Sequence, residues 1–215
     1  MNVDDPLRAE GLAASYNGRR IFSGGKLSLK VGLYALQGAN GSGKSTLLRL
    51  LAGARAPDAG DIWIGGVSLR RASQAAKRHL SYAPDDCPVY PFVTGRQFLR
   101  FVAMSRGVAL PALPDDDLTA ALGLLEPHLG MRFDSMSLGT QKKLLLRAAF
   151  IGSPRVMLMD EPSNGLDTAA RRAFFDSLRT AAQEAVVLCA THDAAMVEET
   201  GASVLLMQQI VAGRE

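Results

Sequence analysis

Apolar and polar residues change period several times along the chain. The first 35 residues are short strand-like pieces broken by the dipeptides Asn17-Gly18 and Gly24-Gly25. Turn dipeptides between apolar runs predict an antiparallel sheet. Residues 31–37 form a short apolar run that ends at glycine, and helical spacing follows over 45–51. That order predicts strand, glycine-rich loop and helix. Pro57-Asp58-Ala59-Gly60 makes a turn, and residues 61–66 read as a strand returning to the first sheet. Over 94–106 the apolar positions Phe98, Phe101 and Val102 recur at helical spacing. Pro114-Asp115-Asp116-Asp117 opens another helix, with acids in the first turn where the dipole favours them. Successive helix positions point in different directions, so these aspartates read as a helix start and not as a metal site. The last third predicts a helix over 142–151, a strand over 156–159 and a helix over 168–183. A strand over 185–190 and a helix over 194–200 follow. Strands alternating with helices predict an α/β fold with a parallel sheet covered on both faces. The helix-rich middle, about 87–150, reads as an insertion into that core. No linker, low-complexity tract or repeat stands out, so residues 1–215 are expected to form one domain.

Composition adds limits. The chain has 215 residues, of which 47% are hydrophobic and 21% charged, as in ordinary globular proteins. The formal net charge of +3 is mildly basic. The basic pairs Arg19-Arg20, Arg70-Arg71, Lys77-Arg78 and Lys142-Lys143 are scattered and read as solvated surface. A nucleic-acid footprint needs clustering on one face, so no nucleic-acid partner is expected. The two cysteines, Cys87 and Cys189, make no disulfide framework, and a reducing cytosol fits. Cys189 lies in an apolar run and is expected to be a buried strand residue. The N-terminus lacks a secretion signal, and no apolar run reaches the roughly 20 residues needed to cross a bilayer. A membrane role would need a partner that supplies the spanning helices.

Gly38-Ala39-Asn40-Gly41-Ser42-Gly43-Lys44-Ser45 matches the P-loop pattern G-x-x-x-x-G-K-[ST], and Thr46 follows it. Glycines let the backbone turn so that consecutive N–H groups face phosphate oxygens. The helix that begins near Lys44 adds its positive end. Lys44 is expected to reach the β- and γ-phosphates of ATP, and the Ser45 hydroxyl to ligate Mg²⁺. The apolar stretch Val156-Met157-Leu158-Met159 then delivers Asp160 and Glu161. Asp160 is expected to hold Mg²⁺, and Glu161 to polarise the water that attacks the γ-phosphate. The fold expected is therefore a P-loop NTPase core with an N-terminal antiparallel β subdomain and an inserted α-helical subdomain.

Beyond these two motifs the chain resembles the ABC ATPase family. Met136-Ser137-Leu138-Gly139-Thr140-Gln141 is similar to its signature, usually written LSGGQ. Glu161-Pro162-Ser163-Asn164-Gly165-Leu166-Asp167 resembles the second acid and the D-loop. Leu188-Cys189-Ala190-Thr191-His192-Asp193 resembles the strand that ends in the switch histidine. Tyr16 stands where the family keeps an aromatic that stacks on adenine. The resemblance covers essentially the whole chain, with the motifs in family order.

The resemblance implies a Mg-dependent ATPase that drives a transporter through a separate transmembrane permease subunit, at the cytoplasmic face of the membrane. Two copies would sandwich two ATP molecules, because one chain carries one P-loop and one signature. Ser137 and Gly139 would then meet the γ-phosphate on the second copy, Asp167 would bridge the copies, and His192 would contact the γ-phosphate. Two departures stand out. Leu138 replaces the first signature glycine, as in exporter-like variants. In Ser81-Tyr82-Ala83-Pro84-Asp85, Asp85 stands where the family keeps glutamine or glutamate. Asp85 is expected either to touch Mg²⁺ or to serve coupling at the partner surface. A non-transport ABC ATPase, such as a cluster-assembly factor, is the alternative, and an ATP-binding subunit without hydrolysis is opposed by Glu161 and His192.

Overall fold

A computed structural model describes residues 5–16, 18–86, 91–108 and 117–210. The chain opens with three strands, β1 (Leu7–Tyr16), β2 (Arg19–Leu29) and β3 (Gly32–Gln37). Helix α1 (Lys44–Leu51), strands β4 (Ala59–Ile64) and β5 (Val67–Ser68), helix α2 (Ser73–Lys77) and strand β6 (Leu80–Ala83) follow. Next come α3 (Gly95–Ser105), α4 (Asp117–Ala121), two short 3₁₀ turns and α5 (Leu138–Ala149). The last part alternates: β7 (Val156–Asp160), α6 (Thr168–Ala181), β8 (Val186–Ala190), α7 (Ala194–Thr200), β9 (Ser203–Leu206) and α8 (Met207–Ile210).

Among the described residues the strands form two sheets. One is antiparallel, in the order β2-β1-β4-β5, and the other has the order β6-β7-β8-β3-β9 with parallel pairings. The α/β architecture with an antiparallel N-terminal sheet is the one the sequence pattern predicts.

The apolar runs of β7 and β8 show why a parallel strand reads as continuously hydrophobic. Val156 and Leu158 belong to one core and Met157 and Met159 to the other; Val186 and Leu188 are likewise divided from Val187 and Cys189. Alternate side chains leave opposite faces of a strand, so a sheet covered twice has no polar face. The antiparallel sheet and α1 cover one face, through Leu7, Phe22, Ile62, Leu47 and Leu51. Helices α3 to α6 and a 3₁₀ turn before α5 cover the other, through Leu99, Leu144, Phe174 and, in the turn, Phe133. Cys189 is fully buried, and burial pushes its thiol up. Cys87 lies outside the described residues.

Some expectations shift. Helix α5 begins at Leu138, four residues before the expected start, because Ser137 caps it by accepting a hydrogen bond from Thr140 N–H at 3.1 Å. Helix α3 starts with a capping box between Thr94 and Gln97. Its Phe98 and Leu99 are buried, whereas Phe101 is 67% exposed and lies off the core face. Asp117 opens α4, while Asp115 and Asp116 lie outside the described residues. Strand β6 was not predicted: four residues are too short for a period to declare itself, and parallel pairing with β7 creates the strand.

Candidate functional site

Strands β7, β8 and β3 are adjacent and parallel, and each ends in a segment expected to carry chemistry. Asp160 and Leu36 both pair with Ala190, so the three strand ends lie in one row. Loops at the C-terminal edge of such a sheet form the usual ligand crevice of open α/β folds. A cavity of about 1060 Å³ opens there. Tyr16, Asn40, Gly41, Gly43, Lys44, Ser45, Thr46, Asp85, Asp160, Glu161 and His192 line it. These residues span Tyr16 to His192 in the chain, and folding brings them to one place.

The P-loop wraps around its own lysine. The Lys44 ammonium donates to Gly38 O at 2.8 Å and Ala39 O at 3.4 Å, and lies 2.9 Å from His192 Nε2. An ammonium has only donors, so Nε2 accepts in that contact. Gly43 is the N-cap of α1 and offers no side-chain cap, which leaves the helix's first-turn N–H groups for a ligand. Gly43 has φ +99°, and a Cβ there would fall 2.9 Å from Ile21 Cγ2. Ser42 Oγ is buried without a protein partner. A phosphate that accepts from uncapped N–H groups, from Lys44 and from Ser42 fits this cradle.

Asp160 is buried at the end of β7, and the Ser45 hydroxyl hydrogen-bonds to it. Burial raises its carboxyl above the ordinary range; Ser45 opposes this, and the negative charge of Asp85 adds to it. A divalent cation beside Ser45 and Asp160 would relieve that concentration of negative charge, so the donor set fits Mg²⁺. Glu161 has φ +45°, in the left-handed region, where a residue with a side chain is strained by about 1–3 kcal/mol. Its N–H donates to Ala190 O at 2.8 Å, and its Oε2 accepts from His192 N–H at 3.4 Å. One residue after Asp160, the chain therefore turns and places a second carboxylate beside the histidine.

Tyr16 lies at the rim, 63% exposed, with the Arg55 guanidinium 6.0 Å from its ring centroid. Ser137, Gly139 and Asp167 do not line this cavity. Ser137 and Gly139 stand at the start of α5, and Leu138 between them is 75% exposed. Asp167 caps α6: its Oδ1 accepts from Ala170 N–H at 3.0 Å and its Oδ2 from Lys143 at 2.9 Å. The Ala170 bond and then Lys143 hold its carboxyl below the usual range.

Residues that sequence reasoning missed also line the cavity: Arg20, Ile21, Arg49 and Asp86. The Lys142-Lys143 pair corrects an expectation, because it is not freely solvated. Lys142 donates to Asp85 Oδ1 at 2.9 Å and to Glu161 O at 2.8 Å, and Lys143 pairs with Asp167. A pair of adjacent lysines carries no local signal that each faces a carboxylate more than 20 residues distant in sequence.

Known proteins resemble this chain in sequence and in fold. The family model for ABC transporters matches residues 26–164, more than half of the chain. Rat (Rattus norvegicus) phospholipid-transporting ATPase ABCA3 is 31% identical over 196 residues, covering 88% of this chain and 11% of that protein. The Nod factor export ATP-binding protein I of Paraburkholderia xenovorans (strain LB400) is 32% identical over 184 residues, covering 83% of this chain and 60% of that protein. The chain thus spans about a tenth of the first relative and three fifths of the second. A solved ATP binding subunit of an ABC transporter superposes with TM-score 0.82 at 27% identity, over 93% of this chain and 85% of that one. A dimeric ATP-binding cassette bound to ADP and Pi, at 17% identity, shares the fold, with TM-score 0.76 over 88% of this chain and 89% of that one. With a glycine-rich P-loop after β3, a buried acid at β7 and a family match that spans both, the chain belongs to the ABC transporter family, as an ATP-binding cassette.

Proposed function

We propose that residues 1–215 form one nucleotide-binding domain, with an α-helical subdomain at about 87–150, that hydrolyses ATP to ADP and phosphate with Mg²⁺. In this reading it is the motor of an exporter. It docks at the cytoplasmic face of the membrane on a separate permease subunit and works as an ATP-sandwich homodimer. The observation that carries the reading is the meeting of Lys44, Ser45, Asp160, Glu161 and His192 around one cavity. Among the described residues no helix is long and apolar enough to cross a membrane, which is consistent with a partner that supplies the passage. Leu138 in place of the first signature glycine, and the relatives named for phospholipid transport and Nod factor export, support the export direction.

The chain's own groups divide the work. Lys44 exchanges the Gly38 and Ala39 carbonyls and His192 for the β- and γ-phosphates. P-loop residues 38–46 hold the phosphates through backbone N–H groups, and Tyr16 stacks on the adenine. Ser45 and Asp160 hold Mg²⁺, with Asp85 adding negative charge nearby. When bound, the metal neutralises charge on the phosphate oxygens. Glu161 accepts a proton from the water that attacks the γ-phosphorus, and His192, released from Lys44, turns or changes tautomer to present a ring N–H to a γ-phosphate oxygen. Ser137 and Gly139 contact the γ-phosphate on the second copy, and Asp167 bridges the copies.

Glu161→Gln tests this. Its amide cannot take the proton, so turnover is expected to fall by at least about 10²-fold while MgATP still binds. Light scattering should then show an ATP-dependent dimer. A variant that stays monomeric with MgATP and turns over at the wild-type rate would remove Glu161 as the base.

A further inference from the structure

Lys142 sits on α5, five residues after Ser137, with its side chain 16% exposed. Its ammonium donates to two acceptors from different segments: Asp85 Oδ1 in the loop after β6, at 2.9 Å, and Glu161 O at the end of β7, at 2.8 Å. The second acceptor matters because Glu161 has φ +45°. A residue with a Cβ leaves that region unless its surroundings hold it there. The same carbonyl accepts from Asn164 N–H only at 3.3 Å. A hydrogen bond from a cation is shorter and stronger than a neutral one, so Lys142 is the stronger hold on this carbonyl, while Ala190 O takes the Glu161 N–H at 2.8 Å. The backbone angles of Glu161 set where its carboxylate points, here with Oε2 toward His192 N–H at 3.4 Å.

Asp85 supplies the countercharge that makes a largely buried ammonium favourable. An aspartate after Pro84 and a lysine at 142 therefore form one device, although they are 57 residues apart. Helix α5 also has Ser137 as its cap and Gly139 in its first turn, so any tilt of α5 moves the Lys142 ammonium relative to Glu161.

We propose that Lys142 is a positioning residue. It holds Glu161 in its left-handed conformation and makes that hold conditional on Asp85 and on the placement of α5. The inference rests on the reading of Glu161 as the general base.

Purified Lys142→Met, Lys142→Arg, Asp85→Ala and the Asp85→Ala/Lys142→Met double variant test it. Lys142→Met is expected to melt close to wild type and to bind MgATP within about threefold. Its kcat should fall by about 10²-fold, the scale of a small misplacement of a catalytic group. It should gather as an ATP-bound dimer, as Glu161→Gln does. Lys142→Arg should recover most of the loss, because it keeps the charge and the donors. The double variant should match Lys142→Met alone, since both substitutions break one device. A crystal structure of Lys142→Met should show Glu161 at negative φ. Wild-type kcat in Lys142→Met, equal loss in Lys142→Arg, or loss of ATP binding in step with kcat would each overturn the proposal. If the wild-type chain neither binds MgATP nor dimerises as Glu161→Gln, the ATPase reading fails instead. The Glu161 backbone in the Lys142→Met crystal then still decides whether Lys142 holds it.

Discussion

Asp160 is a carboxylate placed where water is scarce and other acids are near. Burial raises its carboxyl, with the Asp85 charge adding to the rise. Its folded value lies above its unfolded one, about 3.9. Its contribution to stability is therefore complete below that unfolded value and is lost as pH rises through the folded value. Above the unfolded value, burial of this group therefore costs the ligand-free chain stability. Asp160→Asn keeps an acceptor for the Ser45 hydroxyl and drops the charge. It is expected to melt above wild type at pH 7, with each kcal/mol gained reading as roughly 2–4 °C. The gap should close as pH falls toward 4. Mg²⁺ with ATP should stabilise the wild type more than the variant. Calorimetry across pH checks both arms, and a variant that melts below wild type at pH 7 would contradict the account.

At the scale of elements, the P-loop depends on two glycines for different reasons. Gly41 has φ +73° with nothing within 4 Å of its missing Cβ. Gly43 has φ +99°, and its Cβ would press on Ile21 Cγ2 at 2.9 Å. Both alanine variants meet the left-handed penalty of about 1–2 kcal/mol. Gly43→Ala adds the overlap, typically about 1–3 kcal/mol where a packed core must shift. Urea unfolding is expected to rank the variants Gly43→Ala below Gly41→Ala below wild type. Nucleotide affinity should fall further in Gly43→Ala, because α1 starts there and any shift of its first turn misaims its N–H groups. Equal midpoints for the two variants would show that Ile21 yields freely.

For the whole molecule, one chain supplies one P-loop cradle and one α5 N-terminus, and these do not share a cavity. Under the sandwich proposal, Leu138 faces the second copy. It is 75% exposed, so changing it should not disturb the monomer. Leu138→Asp is expected to melt within about 0.5 kcal/mol of wild type and to bind MgATP normally. Placed in the Glu161→Gln background, it should prevent the ATP-dependent dimer, because a carboxylate would meet the phosphates that the other copy presents. Persistence of that dimer would move the interface away from the start of α5.

The sequence by itself determined the local order. The spacing from Gly38 to Ser45 announced the phosphate loop, and the strand into Asp160-Glu161 announced the acids. The alternation of strands and helices announced the doubly covered sheet. Each of these is written in residues close together, where backbone period and side-chain chemistry act directly. Tertiary structure decided what depends on distant residues. It paired Asp85 and Asp167 with adjacent lysines that read as plain surface, and it seated Lys44 against His192, 148 residues away. It turned Phe101 outward and made a strand of residues 80–83 by pairing them with β7. The left-handed turn at Glu161 belongs to the same class. No local preference favours it there, and it persists because Ala190 O takes its N–H while Lys142 and Asn164 hold its carbonyl.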